Sequence, residues 1–169
     1  MKKYLLILAT GFACLFTSCK GKKEGGTSDK AKKNLETAQA ITKMFETGDM
    51  SKAGDYIATD AVDHTGMNGD VVGLDSIKAS FAMFMKMMSD MKNEAVRELA
   101  DDDYVFQWMK ESWTMKVDAM GMKAGEKGNM DAIEVSKFKD GKVSDHWAFI
   151  SYTDMMKMMN KGQAKDTIK

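Results

Sequence analysis

The residues best suited to chemistry lie in one short stretch toward the C-terminal end of the chain. Glu134 stands among apolar residues, and the triplet Asp145-His146-Trp147 follows it. Between them, the dipeptide Asp140-Gly141 is flanked by residues that favour strands, a pattern typical of a β-hairpin with a type I′ turn. A carboxyl group in an apolar pocket can exchange protons with a bound carbonyl compound. The stretch therefore predicts a hairpin that carries a candidate general acid or base, Glu134; the alternative is a carboxylate at the sheet rim that is solvated or paired with a lysine.

A two-residue turn also fixes which side chains of the hairpin share a face. Counted from the turn, Ser136 is opposite Asp145 and Glu134 is opposite Trp147, and directly opposed residues point to the same side of a sheet. This register predicts that Glu134, Asp145 and Trp147 lie together on the pocket face. It places His146 on the outer face, where we expect a structural role or a contact in a homodimer rather than a catalytic pairing with Glu134.

A second histidine and a second acid complete the set of candidates. His64 follows an acid in the segment Asp60-Ala-Val-Asp-His64. An imidazole can donate a hydrogen bond or act as a base near neutral pH, so His64 is the second candidate catalytic residue. A His that holds a loop through backbone hydrogen bonds is an equally good interpretation. Glu111 lies two positions before Trp113, so both side chains point to the same face of the predicted strand. If that face lines the pocket, Glu111 could add a second carboxylate.

Composition excludes several classes of function. The chain has 169 residues, of which 44% are hydrophobic, so one domain with a real core is expected. Its 25 basic and 25 acidic residues cancel, and Arg97 is the single arginine, which argues against binding to nucleic acid. With two histidines, and with both cysteines in the N-terminal segment, we expect no metal site and no cofactor.

Methionine is unusually frequent, with 18 residues, and many of them lie on two predicted helices. Most are expected to be core or helix-face residues, because methionine favours helices and fills irregular gaps. Some could line an adaptable apolar pocket. A Cu(I) site made of thioethers is a third, weaker interpretation.

The N-terminal segment has the organisation of an export signal. Lys2-Lys3 precedes the apolar run Tyr4–Phe16, which is too short to span a bilayer comfortably. The sequence Leu15-Phe-Thr-Ser-Cys19 resembles the lipobox of bacterial lipoproteins, in which the Cys is acylated after cleavage. The resemblance implies a signal peptide over residues 1–18, a lipid on Cys19 and a location in the bacterial cell envelope, at the outer membrane and periplasm or the cell surface. An ordinary secretion signal or an N-terminal membrane anchor is the alternative.

The remaining elements must position the candidate residues. Residues 19–33 are interpreted as the lipidated Cys and a flexible tether, residues 34–162 as the domain, and residues 163–169 as a tail.

Apolar periodicity predicts a helix over 35–47 ended by Gly48, a short helix after Ser51 and a third helix after Asp75. Four strands and a short C-terminal helix follow; the strand ranges are 93–99, 104–117, 130–138 and 143–152. Helices followed by an antiparallel meander indicate an α+β domain.

The order of these elements and four local motifs resemble the SnoaL-like polyketide cyclases of the nuclear-transport-factor-2-like superfamily. The motifs are Phe45-Glu-Thr-Gly-Asp49, the segment from Tyr56 to His64, the segment from Gly73 to Ile77 and the segment from Glu134 to Trp147. The resemblance implies a cone-shaped, curved antiparallel sheet packed against three N-terminal helices. It also implies an acid before the Asp-Gly hairpin, matched by Glu134, and a His on the long neighbouring strand, where this chain has Trp113.

Two functions follow as hypotheses. The first is acid–base chemistry of the ester cyclase or isomerase type on a small, largely apolar ligand held in the cone. The second is a non-catalytic ligand-binding or scaffold lipoprotein, which the replacement of the family His by Trp113 favours. The residues expected to line the ligand pocket are Tyr56, Phe84, Trp113, Asp145 and Trp147.

Overall fold

The computed structural model describes residues 27–66 and 68–163, with side chains up to residue 157, and the predicted lipidation site Cys19 lies outside this part. Four helices are present: α1 (Asp29–Thr47), α2 (Ala53–Tyr56), α3 (Leu74–Met87) and α4 (Tyr152–Gln163). None of the helices in the described part is long and apolar enough to cross a membrane.

Six strands form one curved sheet. They are β1 (Ile57–Asp63), β2 (Val71–Val72), β3 (Met88–Ala100), β4 (Tyr104–Met115), β5 (Lys127–Lys139) and β6 (Lys142–Ile150). Their order across the sheet is β2-β1-β6-β5-β4-β3. The predicted α+β architecture, with three helices before the main strands and a curved sheet beside them, is confirmed.

An antiparallel sheet was predicted, but the sheet contains one parallel pair of strands. Strands β3 to β6 form the expected antiparallel meander, but β1 pairs with β6 in parallel and places Asp63 beside His146. The short strand β2 pairs with β1 in antiparallel orientation at the edge of the sheet. Because β1 comes from the N-terminal half of the chain, its pairing with β6 brings the two Asp-His dipeptides of the sequence side by side.

Two helix boundaries differ from the predictions. Helix α1 begins at Asp29, where the Ser28 hydroxyl accepts a hydrogen bond from the Ala31 amide, so residues 29–33 are helical and not part of a tether. Its predicted end is confirmed, since Gly48 has φ 77° in the left-handed region. Helix α3 ends at Met87, and the apolar run continues as strand β3 from Met88.

The helices cover one face of the sheet, which we call the inner face. Ala38 of α1 packs against Val105, Phe138 and Val143, which are buried at 4% exposure or less. Ile77 of α3 packs with Ala61 of β1 in a second cluster. Side chains on alternate positions of these strands therefore point toward the helices, and the positions between them form the outer face.

Candidate functional site

A β-bulge next to the hairpin turn decides which residues share the inner face. The turn itself is as predicted, with positive φ at both Asp140 and Gly141. Phe138 is opposite Val143, but the next pair is Lys137 and Asp145, so Ser144 is an extra residue without a cross-strand partner. One extra residue moves every later side chain of the strand to the other face.

The bulge overturns the predicted register. Glu134 is opposite Ala148 and not Trp147, while Ser136 is opposite His146. The prediction that Glu134 shares its face with Asp145 and Trp147 is wrong, as is the prediction that His146 lies on the outer face. The structure instead brings Glu134 and His146 together on the inner face.

His146 is held between two carboxylates on the inner face. Its Nε2 atom lies 2.7 Å from Oε2 of Glu134, and its Nδ1 atom lies 3.2 Å from Oδ1 of Asp63. The His146 side chain is 29% exposed, and the Glu134 and Asp63 side chains are each 19% exposed. The three groups are thus largely withdrawn from water but remain reachable from outside.

This arrangement favours the charged imidazolium. Burial opposes a charge on His146, but hydrogen bonds to Asp63 and Glu134 outweigh it and raise the pKa of His146 to about 9. Burial likewise opposes the Asp63 carboxylate, yet hydrogen bonds from His146 and Thr65 hold the pKa of Asp63 below its usual range. At neutral pH both nitrogens of His146 therefore donate, one to each carboxylate.

A fourth group, Glu111 of β4, extends the cluster. Burial, followed by the negative charge of Glu134 and a hydrogen bond with that carboxyl, raises the pKa of Glu111 to about 8. Glu111 is therefore protonated at neutral pH and has a proton to donate toward the Glu134 carboxyl group. The idea that Glu111 joins Glu134 as a second carboxyl agrees with the structure. We call Asp63, His146, Glu134 and Glu111 together the inner-face cluster.

The inner-face cluster has the parts that proton transfer needs. Protonated Glu111 places a proton donor next to a second carboxyl group, Glu134, and paired carboxyls serve as acid and base in several classes of enzyme. His146 neutralises one carboxylate and fixes its position, and Asp63 fixes the orientation of His146. A ligand with an acidic C–H, a carbonyl oxygen or an activated water could exchange a proton with this pair.

The other predicted histidine lies elsewhere. The His64 ring stacks on Trp147 of the outer face with ring centroids 4.7 Å apart and planes 10° from parallel. Its Nδ1 atom lies 3.0 Å from Asp70, and its Nε2 atom lies 3.6 Å from Asp145. His64, Asp145 and Trp147 do come together, but on the opposite side of the sheet from Glu134, so the structure does not join them into one site.

The remaining predicted pocket residues are also dispersed. Trp113 is buried at 9% exposure in a cluster with Met88, Met115 and Met122, against which Phe84 packs. Tyr56 packs against a different cluster and borders a surface cavity of about 240 Å³ beside α1 and α2. A smaller cavity of about 100 Å³ lies beside Trp113. Neither cavity is lined by Glu134 or His146.

The donor set does not resemble a metal site. Within residues 27–66 and 68–163, no group of three or more His, Cys, Asp or Glu side chains is arranged to hold a metal ion. His146 already donates from both ring nitrogens, so neither is available as a ligand in this arrangement.

Sequence reasoning missed two members of the inner-face cluster. Asp63 was noted only as the neighbour of His64, and His146 was interpreted as structural. The repeated Asp-His dipeptide at Asp63-His64 and Asp145-His146 was the available signal, because two such pairs on neighbouring strands can each reach the other's partner. The bulge at Ser144 decides which His faces Glu134, and no residue pattern predicted this bulge.

Similarity to known structures agrees with this fold. TsrD from Streptomyces laurentii matches with a TM-score of 0.65 at 13% identity, covering 77% of this chain and 96% of that protein. A SnoaL-like polyketide cyclase from Agrobacterium tumefaciens matches with a TM-score of 0.63 at 12% identity, covering 75% and 97%. An LEH-like epoxide hydrolase from M. tuberculosis matches with a TM-score of 0.62 at 12% identity, covering 79% and 94%. At such low identity these likenesses establish the fold alone.

A comparison of the sequence with protein families gives more specific information than the fold alone. No curated protein is significantly similar in sequence. The family model described as SnoaL-like polyketide cyclase matches residues 35–159, which include all four members of the inner-face cluster. With most of its length matched, this chain belongs to the SnoaL-like polyketide cyclase family.

Proposed function

We propose that this protein binds a small, largely apolar ligand against the inner face of the sheet and transfers a proton to or from it. The observation that carries the proposal is the contact of Glu134 with His146, 2.7 Å apart, beside Glu111, whose pKa is raised to about 8 by burial and by the neighbouring Glu134. The chemistry is of the ester cyclase or isomerase type, in which a base removes a proton beside a carbonyl group and an acid returns it elsewhere.

The surroundings of the cluster support an apolar ligand. Beyond Glu111 on strand β4, Trp113 and Met115 follow on the same face and pack in the methionine-rich cluster, so apolar side chains lie next to the carboxyl pair. Phe84 and Met87 of α3 pack against the same cluster. Methionine side chains adapt to ligands of different shape, which suits a small, largely apolar ligand.

A non-catalytic binding or scaffold lipoprotein is the second candidate. Trp113 stands where the family resemblance leads us to expect His, and it fills space among methionines instead of facing a ligand with a polar group. Under this alternative the inner-face cluster orients a ligand by hydrogen bonds without changing it.

The lipid anchor is part of the proposal. Cys19 would carry the lipid after cleavage of residues 1–18 and would hold the domain at a membrane of the bacterial envelope. A ligand of low solubility would then be met at the membrane surface, where apolar compounds concentrate.

Native mass spectrometry of the full chain purified from its source tests the binding proposal directly. We expect a retained small molecule, seen as a mass above that of the lipidated chain. Incubating the protein with that molecule and following its exchange of deuterium from D₂O then separates the two candidates. Exchange at a carbon next to a carbonyl supports proton transfer, whereas binding without exchange or turnover supports the non-catalytic alternative.

A further inference from the structure

Methionine side chains and one indole ring meet at the end of strand β4. Met88 of β3 is directly opposite Met115 of β4, so their side chains lie next to each other on the inner face. Trp113 precedes Met115 by two positions and packs in the same cluster, together with Met122 of the loop between β4 and β5. This group contains no member of the inner-face cluster, and its thioethers are soft, polarisable groups.

The loop between β4 and β5 folds back through the tight turn Ala119-Met120-Gly121-Met122. The Ala119 amide donates to the Met122 carbonyl at 3.1 Å, and the Met122 amide donates to the Ala119 carbonyl at 2.9 Å. Met120 has φ 51° and Gly121 has φ 73°, the positive values of a type I′ turn. Gly, Asn and Asp adopt this conformation readily, whereas most other side chains are destabilising there. A methionine at such a position therefore points to a role other than folding.

The turn places Met120 and Met122 on the border of the cavity of about 100 Å³ that Trp113 also lines. Met120 is 43% exposed and Met122 is 6% exposed, so one thioether comes from the surface and the other from the core. Gly128, opposite Trp113, has no side chain, and the indole ring lies directly over it. A water molecule takes about 30 Å³ in the liquid, so the cavity has room for a single metal ion.

The chemistry of the cavity border decides which cation suits it. Thioether sulfur is a soft, uncharged ligand that selects Cu(I), whereas Ca²⁺ and Mg²⁺ need carboxylate and carbonyl oxygens. The carboxylate on the border, Asp154, already accepts hydrogen bonds from Nζ of Lys157 at 2.7 Å and from the Ser151 hydroxyl at 2.8 Å. Because Lys127 also lines the cavity, the border has no excess of negative charge, and a cation must be held by the sulfur atoms themselves. An indole ring adds a cation–π attraction to an ion over its face.

We propose that Met120, Met122 and Trp113 form a site for one Cu(I) ion, with the two thioethers as ligands and the indole ring beside the ion. Such a site needs neither His nor Cys, the ligands whose scarcity in the domain led us to expect no metal. It goes beyond the proposed function, since no member of the inner-face cluster belongs to it. Binding involves no change in the oxidation state of the copper.

Competition with bicinchoninate, a chelator that is coloured when it holds Cu(I), tests the site on the purified full chain under anaerobic, reducing conditions. We expect one Cu(I) per chain to move from the chelator to the protein. Met120→Leu and Met122→Leu keep the side-chain volume but remove the sulfur. Each should raise the dissociation constant by at least about 10-fold, since even groups that only support a metal ligand cost that much when lost.

Met83→Leu, at a position of α3 that is 60% exposed, is the matched control and should leave the dissociation constant unchanged. Circular dichroism checks that the three variants fold. Copper that stays on the chelator, or that binds Met120→Leu and Met122→Leu as tightly as the wild type, would overturn the proposal.

NMR with Ag(I), a soft ion that replaces Cu(I) without redox chemistry, locates the bound metal. The indole N–H signal of Trp113, assigned with Trp113→Phe, should shift during the titration, whereas the signals of Trp108 and Trp147 on the outer face should not. Sodium acetate is the comparison, because the lysines on the cavity border attract anions. A Trp113 signal that shifts with acetate but not with Ag(I) would overturn the proposal in favour of an anion site.

Met120→Asn separates a binding role of Met120 from a folding role. Asn adopts positive φ more readily than Met, so the variant should unfold at a higher urea concentration than the wild type. Its dissociation constant for Cu(I) should nevertheless rise, because the thioether is gone. A variant that binds Cu(I) as tightly as the wild type would refute Met120 as a ligand.

Discussion

The Nε2 atom of His146 lies 2.7 Å from Oε2 of Glu134, although a regular two-residue hairpin would put these residues on opposite faces of the sheet. The extra residue Ser144 accounts for the contact, because it turns the rest of β6 over by one position. The same bulge moves Asp145 and Trp147 to the outer face. A single unpaired residue thus separates the chemistry of the inner face from the apolar surface behind it.

The imidazole of His146 should titrate well above an ordinary His. We expect a pKa of about 9 for His146, because Asp63 and Glu134 both accept hydrogen bonds from its charged form. NMR titration of the ring protons measures this value, and His64→Asn assigns the signals since the chain has two histidines. Asp63→Asn should lower the pKa of His146, whereas Asp60→Asn, at an exposed position of the same strand, should not.

Stability should fall as the pH rises from about 4.5 to about 9, most steeply between about 6.5 and 8, where Glu111 and His146 both contribute. The folded protein keeps protons on His146 up to about pH 9 and on Glu111 up to about pH 8, while the unfolded chain releases them near 6.5 and 4.5. The folded state therefore binds more protons over this window, and each unit of pH lowers the free energy of unfolding. Urea unfolding at a series of pH values measures the slope.

Glu111→Gln should make that decline smaller. The amide keeps a hydrogen-bond donor beside Glu134 but has no proton to lose, so the part of the slope due to Glu111 disappears. The free energy of unfolding of the variant, measured relative to the wild type, should therefore be higher at pH 8 to 9 than at pH 5. An unchanged slope would mean that Glu111 is not held protonated by its surroundings.

Glu134→Gln should fold normally and lose function. If Glu134 transfers a proton, turnover of the ligand identified by mass spectrometry should fall by about 10²- to 10⁴-fold, the usual contribution of a general acid or base. Glu94→Gln, at an exposed position of β3, is the matched control and should keep full activity. Unchanged turnover together with unchanged ligand binding in Glu134→Gln would refute a role for this carboxyl.

Gly128→Ala should destabilise the domain. A Cβ atom at residue 128 would lie 2.2 Å from Cε2 of Trp113, so the indole ring or the strand must move. We expect a loss of about 1 to 3 kcal/mol in the free energy of unfolding, as for other overpacked core positions. The loss should be smaller when the same change is made in a Trp113→Leu background, which removes the ring.

Cys19→Ser tests the proposed anchor. The variant should no longer incorporate labelled palmitate and should leave the membrane fraction when cells are lysed. Cys14→Ser supplies the matched control and should retain both label and membrane association. Labelling that persists in Cys19→Ser, or that is lost in Cys14→Ser, would place the modification elsewhere.

Local chemistry determined several features of this protein by itself. Asp140-Gly141 makes a turn with positive φ at both residues, and Gly48 ends α1 in the left-handed region, because few other residues adopt these conformations cheaply. The order of helices and strands and the family resemblance were sufficient for the α+β fold. The candidate acid Glu134 also follows from the sequence, since it stands before the hairpin turn in an apolar strand.

The partners of Glu134 were decided only by the tertiary structure. A bulge forms where packing on both faces of the sheet is better with one residue left unpaired, and that balance depends on residues far away along the chain. The parallel pairing of β1 with β6 joins Asp63 to a histidine 83 positions later, which no local pattern specifies. The sequence pattern thus identified Glu134 as the candidate acid, while long-range strand pairing determined that His146, and not His64, contacts it.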